Sequence, residues 1–168
     1  WTTWWADLVF LEIDGTKIGS TSPTYFIAEA GLNHNGKIDL AKKMIDEAYN
    51  AGADAIKFQT YKSESFLSSS SQYFDFFKNV ELSFEEFKEI KSYADNSCIT
   101  FLSTPFDFES SDYLKKIGVP AFKIASSDLT NTPLLSHIAK MDLPMIISTG
   151  LGTMEEIEES INLCNSVG

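Results

Sequence analysis

Two lysines of this chain sit where lysine is costly. Lys57 lies between Ile56 and Phe58, and Lys123 lies between Phe122 and Ile124. In an extended segment successive side chains face opposite ways, so Lys57 and Gln59 share one face while Ile56 and Phe58 take the other. A charge half-buried in this way needs a partner or a task. Glu29 closes the earlier apolar run Tyr25–Ala28, Ser103 and Thr104 close another, Ser126 follows Lys123, and Ser148 and Thr149 close a fifth. Ammonium groups with strand-end hydroxyls and loop amides form a shell suited to a phosphorylated anion. The Ser148–Thr149–Gly150 turn, leading into a helix, offers amides of the same kind. Two other readings use the same residues. Either lysine could be the Schiff-base nucleophile of an aldolase, its pKa drawn below about 10.4 by the other. Lys57 and Glu29 could also form a purely structural ion pair.

The elements that must position these groups repeat along the chain. Tyr25–Lys62 reads as one strand–helix–strand unit: an apolar run to Ala28, the loop Gly31–Gly36, and then Leu40, Ala41, Met44, Ile45 and Ala48 at helical spacing. Gly52 follows that helix where a left-handed cap is wanted, and Ala53–Gln59 is the next strand. Ser83-Phe84-Glu85-Glu86 and Thr153-Met154-Glu155-Glu156 are capping boxes that open helices, and Thr132-Pro133 opens another. Further strands run at Ile99–Ser103, Pro120–Ala125 and Pro144–Ile147, with a helix near Phe108 to Ile117. The stretch Tyr61–Leu82, with four serines in a row and then Tyr73, Phe74, Phe76 and Phe77, is either a mobile aromatic lid or a short helix packing its rings into the core.

Five strands alternating with five helices predict a parallel sheet with helices outside it. Each strand ends in ligand-type residues, as in the catalytic face of a (β/α)8 barrel, whereas a doubly wound sheet gathers them at one switch point. The expected fold is therefore α/β, the first five βα units of a TIM barrel over 25–168. Residues 1–24 form an N-terminal extension with a β-hairpin turning at Asp14-Gly15. Thr100, Leu102, Met145 and Ile147 are expected on the inward face. Trp1, in place of Met, and the unmatched Trp1–Trp5 stretch suggest a partial chain.

Composition narrows the partners. A formal net charge of −11 over 168 residues argues against nucleic acid and anionic membranes, so an anionic substrate must be held by locally placed lysines. Cys98 and Cys164 read as reduced thiols of a cytoplasmic protein. No run suggests a signal segment or a membrane span. His34, between Asn33 and Asn35 in the first βα loop, is a candidate for substrate contact or proton transfer. His137 lies within a helix, facing solvent or capping, and neither histidine has metal-motif spacing.

The motifs Ile27–Gly31 with Asn33–Gly36, Lys57–Thr60, Phe101–Phe106, Lys123–Ser126 and Ile147–Gly150 resemble, in order and spacing, the N-acetylneuraminate (sialic acid) synthase family, which includes the spore-coat polysaccharide synthases. The resemblance runs from Tyr25 to the chain end and implies that three barrel units and an antifreeze-like domain are absent. It implies condensation of phosphoenolpyruvate with an N-acylated amino-sugar aldehyde to give a nonulosonic acid and phosphate. Lys57, Thr104, Lys123, Ser126 and Ser148 would hold phosphoenolpyruvate, and Glu29 and Gln59 would face the sugar aldehyde. Asn33, His34 and Asp128, the last standing where the family often has Glu, are substrate-loop candidates. The family's divalent metal, manganese or magnesium, would polarise the aldehyde from ligands beyond Gly168, with none in this chain. A homodimer is expected for a full-length relative. A catalytically dead sugar-binding remnant is the third reading.

Overall fold

The Asp14-Gly15 dipeptide makes the first reversal of the chain. Both residues take left-handed backbone, at φ 51° and 77°, the geometry of a tight hairpin turn that Asp tolerates and Gly prefers. The turn joins β1 (Leu11–Ile13) to β2 (Thr16–Ile18) in antiparallel register. The computed structural model describes residues 10–168. The Trp-rich start and Val9, which the sequence places at the head of the hairpin, lie outside the described residues.

A five-stranded parallel sheet follows, in the order β3 (Ile27–Gly31), β4 (Ala55–Thr60), β5 (Thr100–Pro105), β6 (Phe122–Ile124) and β7 (Met145–Ile147). Every strand pairs with its successor in sequence, so the order never reverses and no switch point exists among the described residues. This is the arrangement of consecutive barrel units. Helices α1 (Ile38–Asn50), α4 (Phe84–Asn96), α5 (Phe108–Lys116), α6 (Thr132–Ala139) and α7 (Met154–Val167) follow the strands in turn. Among the described residues no helix is long and apolar enough to cross a membrane.

The two sheet faces have different company. Toward the helices, Ile56, Phe58, Phe101, Phe122 and Ile124 join Ile45, Phe87, Ile90, Leu114, Leu135 and Ile138 in one buried core. Phe58 and Phe101 stack there with ring centroids 5.5 Å apart. On the other face Ala55, Leu102 and Ala121 close around Ile13 of the hairpin, with Ile27 and Ile146 beside them. The hairpin therefore floors the amino ends of the strands. Alternation on β7 runs opposite to expectation: Ile146, in register with Lys123, faces inward, while Met145 and Ile147 pack toward the helices. Pro144-Met145-Ile146-Ile147 is apolar throughout, so the sequence carried no phase for that strand.

Helix ends follow local chemistry. Both capping boxes form, Ser83 with Glu86 and Thr153 with Glu156. Asp107, which the sequence reading missed, caps α5 by accepting the Ser110 amide at 2.7 Å. Its other oxygen accepts the Lys62 amide at 2.8 Å, tying the exit of β4 to α5. The Tyr61–Leu82 stretch holds two short helices, α2 (Ser63–Phe66) and α3 (Phe74–Val80), and not a lid detached from the body. Tyr61 donates to the Phe77 carbonyl at 2.9 Å, and the Phe66 ring lies 4.9 Å from Phe106 and 5.2 Å from Phe77. Tyr73 and Phe76 remain exposed.

Candidate active site

The carboxyl ends of the strands bring the charged groups of the inward face together. Glu29 is in register with Lys57, and Gln59 with Thr104, so each pair shares that face. Ser103 pairs with Phe122 toward the helices, which leaves Thr104 and Lys123, next along their strands, facing inward. Lys57 is 8% exposed, and its Nζ forms an ion pair with Glu29 Oε2. The Glu29 side chain is itself 56% exposed, so the pair is solvated from one side only. Lys123 Nζ donates to Ser148 Oγ at 2.5 Å and to the Ile124 carbonyl at 2.7 Å. Burial, and then the nearby Lys57 charge, pull the Lys123 pKa below the ordinary lysine value, with Glu29 opposing them. Lys57, Glu29 and Lys123 therefore lie in one another's field.

A backbone irregularity aims the acidic member. The ladder slips between Glu29 and Gly31: Glu29 opposes Lys57, yet Gly31 already opposes Phe58, which leaves Ala30 as the extra residue of a bulge. Gly31 has left-handed backbone at φ 52°. A Cβ there would stand 3.5 Å from Glu29 Oε1 and 3.9 Å from Gln59 Nε2, so carboxylate and amide converge over this residue. The acceptor and donor pair at Gly31 adjoins the two ammonium groups. That combination is chemically suited to an anion on one side and to a polar, hydroxylated molecule on the other.

The remaining candidates divide. Thr104 is buried at the end of β5, and half-buried Ser126 opens the 3-10 turn Ser126–Asp128 after β6. Asp128 Oδ1 accepts from Asn131 Nδ2 at 3.0 Å, while its Oδ2 is buried without a protein partner among the described residues. Asn33 is exposed on the β3–α1 loop. His34 is not: it is 1% exposed, with its ring 6.1 Å from Phe58 on the helix side of the sheet. It does not join the inward cluster, because an imidazole in a tight Asn/Gly loop can fold back under the turn as readily as reach outward. Ser103, read from sequence as a strand-end ligand, points to the helices and shares a buried hydrogen bond of 2.7 Å with Thr60. His137 pairs with Asp112 at 2.8 Å and meets the Phe108 ring edge-on, joining α6 to α5.

Gly31 and Asp107 are the positions that the sequence reading did not single out. Each had a signal, a glycine two residues after a strand-end acid and an Asp just before a helical run. Among the described residues no group of three or more His, Cys, Asp or Glu side chains is placed to hold a metal ion. Glu29 is committed to Lys57, and both histidines lie elsewhere. The described residues thus do not provide a site for the divalent metal that the resemblance implies.

Residues 44–168 match the NeuB family. An uncharacterized protein of Methanocaldococcus jannaschii is 49% identical over 158 residues, covering 94% of this chain and 47% of its own length. The N,N'-diacetyllegionaminic acid synthase of Campylobacter jejuni is 40% identical over 158 residues, covering 85% of this chain and 47% of its own. Among solved structures, the N-acetylneuraminic acid synthetase of Leptospira borgpetersenii, in complex with citrate, superposes with a TM-score of 0.91 at 39% identity. That match covers 95% of this chain and 56% of the other. The chain spans about half the length of the curated relatives it matches.

Proposed function

The chain belongs to the NeuB family, and from that premise we propose that it carries the phosphoenolpyruvate half of a nonulosonate synthase site. The whole protein would join phosphoenolpyruvate to an N-acylated amino-sugar aldehyde, giving a nonulosonic acid and phosphate. The observation that carries this reading is the pairing of two inward lysines at the strand ends, Lys57 balanced by Glu29 and Lys123 bonded to Ser148. An isolated core ion pair needs only one lysine. The second, whose pKa is lowered by burial and by the first, becomes favourable when a multiply charged anion lies between them.

The chemistry assigns a part to each group. Lys57 and Lys123 bind the phosphate and carboxylate of phosphoenolpyruvate, with Ser126, Ser148 and Thr104 supplying hydroxyl contacts. Glu29 and Gln59 orient the aldehyde above Gly31, so that C3 of the enol approaches the carbonyl carbon. Bond formation leaves cationic character at C2, next to the Glu29 carboxylate. Water adds at C2, a proton passes to the alkoxide left on the former aldehyde oxygen, and the tetrahedral intermediate expels phosphate by breaking the bond between C2 and the phosphate oxygen. Charges fixed before the reaction stabilise that sequence without reorganising during it.

The lowered Lys123 pKa also favours a second reading, in which a neutral lysine forms a Schiff base with a keto acid. One experiment separates the two. The protein carrying this chain, supplied with phosphoenolpyruvate and a panel of N-acylated amino sugars, is expected to release phosphate only when an aldehyde acceptor is present. Borohydride trapping of a keto acid on Lys57 or Lys123 would replace the synthase reading with the aldolase one. Phosphate release absent with every acceptor, together with retained sugar binding, would leave a binding remnant.

A further inference from the structure

His34 lies apart from the inward cluster, on the helix side of the sheet. Its ring is buried, and its Nδ1 accepts the Gly36 amide at 3.1 Å. An accepting Nδ1 places the ring proton on Nε2 of a neutral imidazole. The loop around it is short and fully turned. The Asn33 amide donates to Ala30, Asn35 to Leu32, and Lys37 to the His34 carbonyl, all within 2.9–3.0 Å. Asn35 and Gly36 are both left-handed, at φ 51° and 71°. A Cβ on Gly36 would stand 2.6 Å from the Asn79 carbonyl, so the far end of the loop is pressed against the exit of α3. The near end is Gly31, over which Glu29 and Gln59 converge.

We propose that neutral His34 is a positioning residue, a latch whose Nδ1 holds Gly36 and thereby fixes the loop between the Glu29–Gln59 corner and α3. The latch is a property of the loop itself; its effect on turnover rests on the synthase reading above. Protonation puts a hydrogen on Nδ1 and removes the acceptor that Gly36 needs. Burial is the main cause of the lowered His34 pKa, and the Glu86 carboxylate on α4 opposes it more weakly. Glu86 is itself engaged by the Ser83 amide and hydroxyl. From β4 the facing group is the Phe58 ring, while the end of α3, at the neutral Asn79 and Val80, lies against Gly36. The direction follows: the open loop takes up a proton first as pH falls below about 6.5, so acid favours opening until the folded imidazole also titrates.

The test is amide exchange at Gly36 in the protein carrying this chain, expressed as protection relative to the intrinsic rate. Wild type should be protected at neutral pH and lose protection as the pH drops through the histidine range. His34→Asn, whose Oδ1 stands in for Nδ1, should keep the protection and lose its pH dependence. His34→Phe should lose protection at every pH. Protection that is unchanged in His34→Phe, or indifferent to pH in wild type, overturns the latch; if His34→Phe does not fold, the wild-type titration and His34→Asn still decide. In turnover, His34→Phe should raise KM for the aldehyde on the order of ten- to a hundredfold without moving KM for phosphoenolpyruvate, and His34→Asn should restore it. Equal KM values in all three proteins overturn the positioning role. A wild type that turns nothing over defeats the synthase reading and leaves the exchange result to judge the latch alone.

Discussion

The two faces of the five-stranded sheet solve different problems with the same strands. The helix-facing side is a continuous apolar layer whose largest rings, Phe58, Phe101 and Phe122, are fully buried. The inward side changes character along each strand: small and aliphatic at the amino ends, where Ala55, Leu102 and Ala121 seat Ile13, then charged and polar at the carboxyl ends. The first face holds the fold together, and its few polar groups, Ser103 bonded to Thr60 and His34 in the loop above Phe58, are buried within it. The second supplies little packing at its upper end and holds nearly every group that could do chemistry. Selection for stability and for chemistry can thus act on adjacent residues of one strand with little mutual cost.

That separation can be broken from either side. Phe101→Ala empties a fully buried ring site, so unfolding free energy should drop by about 3–5 kcal/mol with KM values per folded molecule unchanged. Thermal melting and kinetics on the same preparation check both halves of this expectation. A selective rise in KM for phosphoenolpyruvate would show that the faces are coupled. Lys57→Met should do the reverse and weaken phosphoenolpyruvate binding by about 2–5 kcal/mol. It leaves Glu29 without its partner, but that side chain is 56% exposed and water can solvate it, so the melting temperature should move little. Calorimetric titration with phosphoenolpyruvate reads this directly, and unaltered affinity would remove Lys57 from the site. The smallest effect belongs to neither face: Thr153→Ala removes the cap of α7 and should cost about 1 kcal/mol in denaturant unfolding, with catalysis untouched.

Much of the helix-side architecture was legible in the sequence because local chemistry and tertiary role agree there. The Asp14-Gly15 turn, the Ser83 and Thr153 capping boxes and the strand–helix alternation all form as their residues dictate. Lys57 and Lys123 were legible as inward groups because each interrupts an apolar run with the strand period. Two of the failures share a source, the absence of a local phase. Met145–Ile147 is apolar at every position, so which residue faces inward is set by its register with Lys123. On β5 a phase was available, since an inward Leu102 also turns Thr104 inward and Ser103 toward the helices, as the pairing with Phe122 has it. His34 lies in a loop with no period at all, and the neighbours of that loop, Asn79 and Val80 of α3 and the Glu86 charge of α4, follow much later in the chain.

The hairpin floor has a consequence in time. Its turn is local, but Ile13 makes its buried contacts with Ala55, Leu102 and Ala121, far along the chain, on two strands and at the entry to a third. Those partners adjoin only after β4, β5 and β6 have aligned, so the floor seats late, behind the entropic cost of closing those long loops. Ile13→Ala should therefore leave the refolding limb of a chevron in place and accelerate the unfolding limb, the signature of a contact absent from the transition state. A slowed refolding limb would instead make the hairpin part of the nucleus. On this account the sheet forms first as an open ribbon, and the hairpin acts as the stopper that keeps it from unrolling.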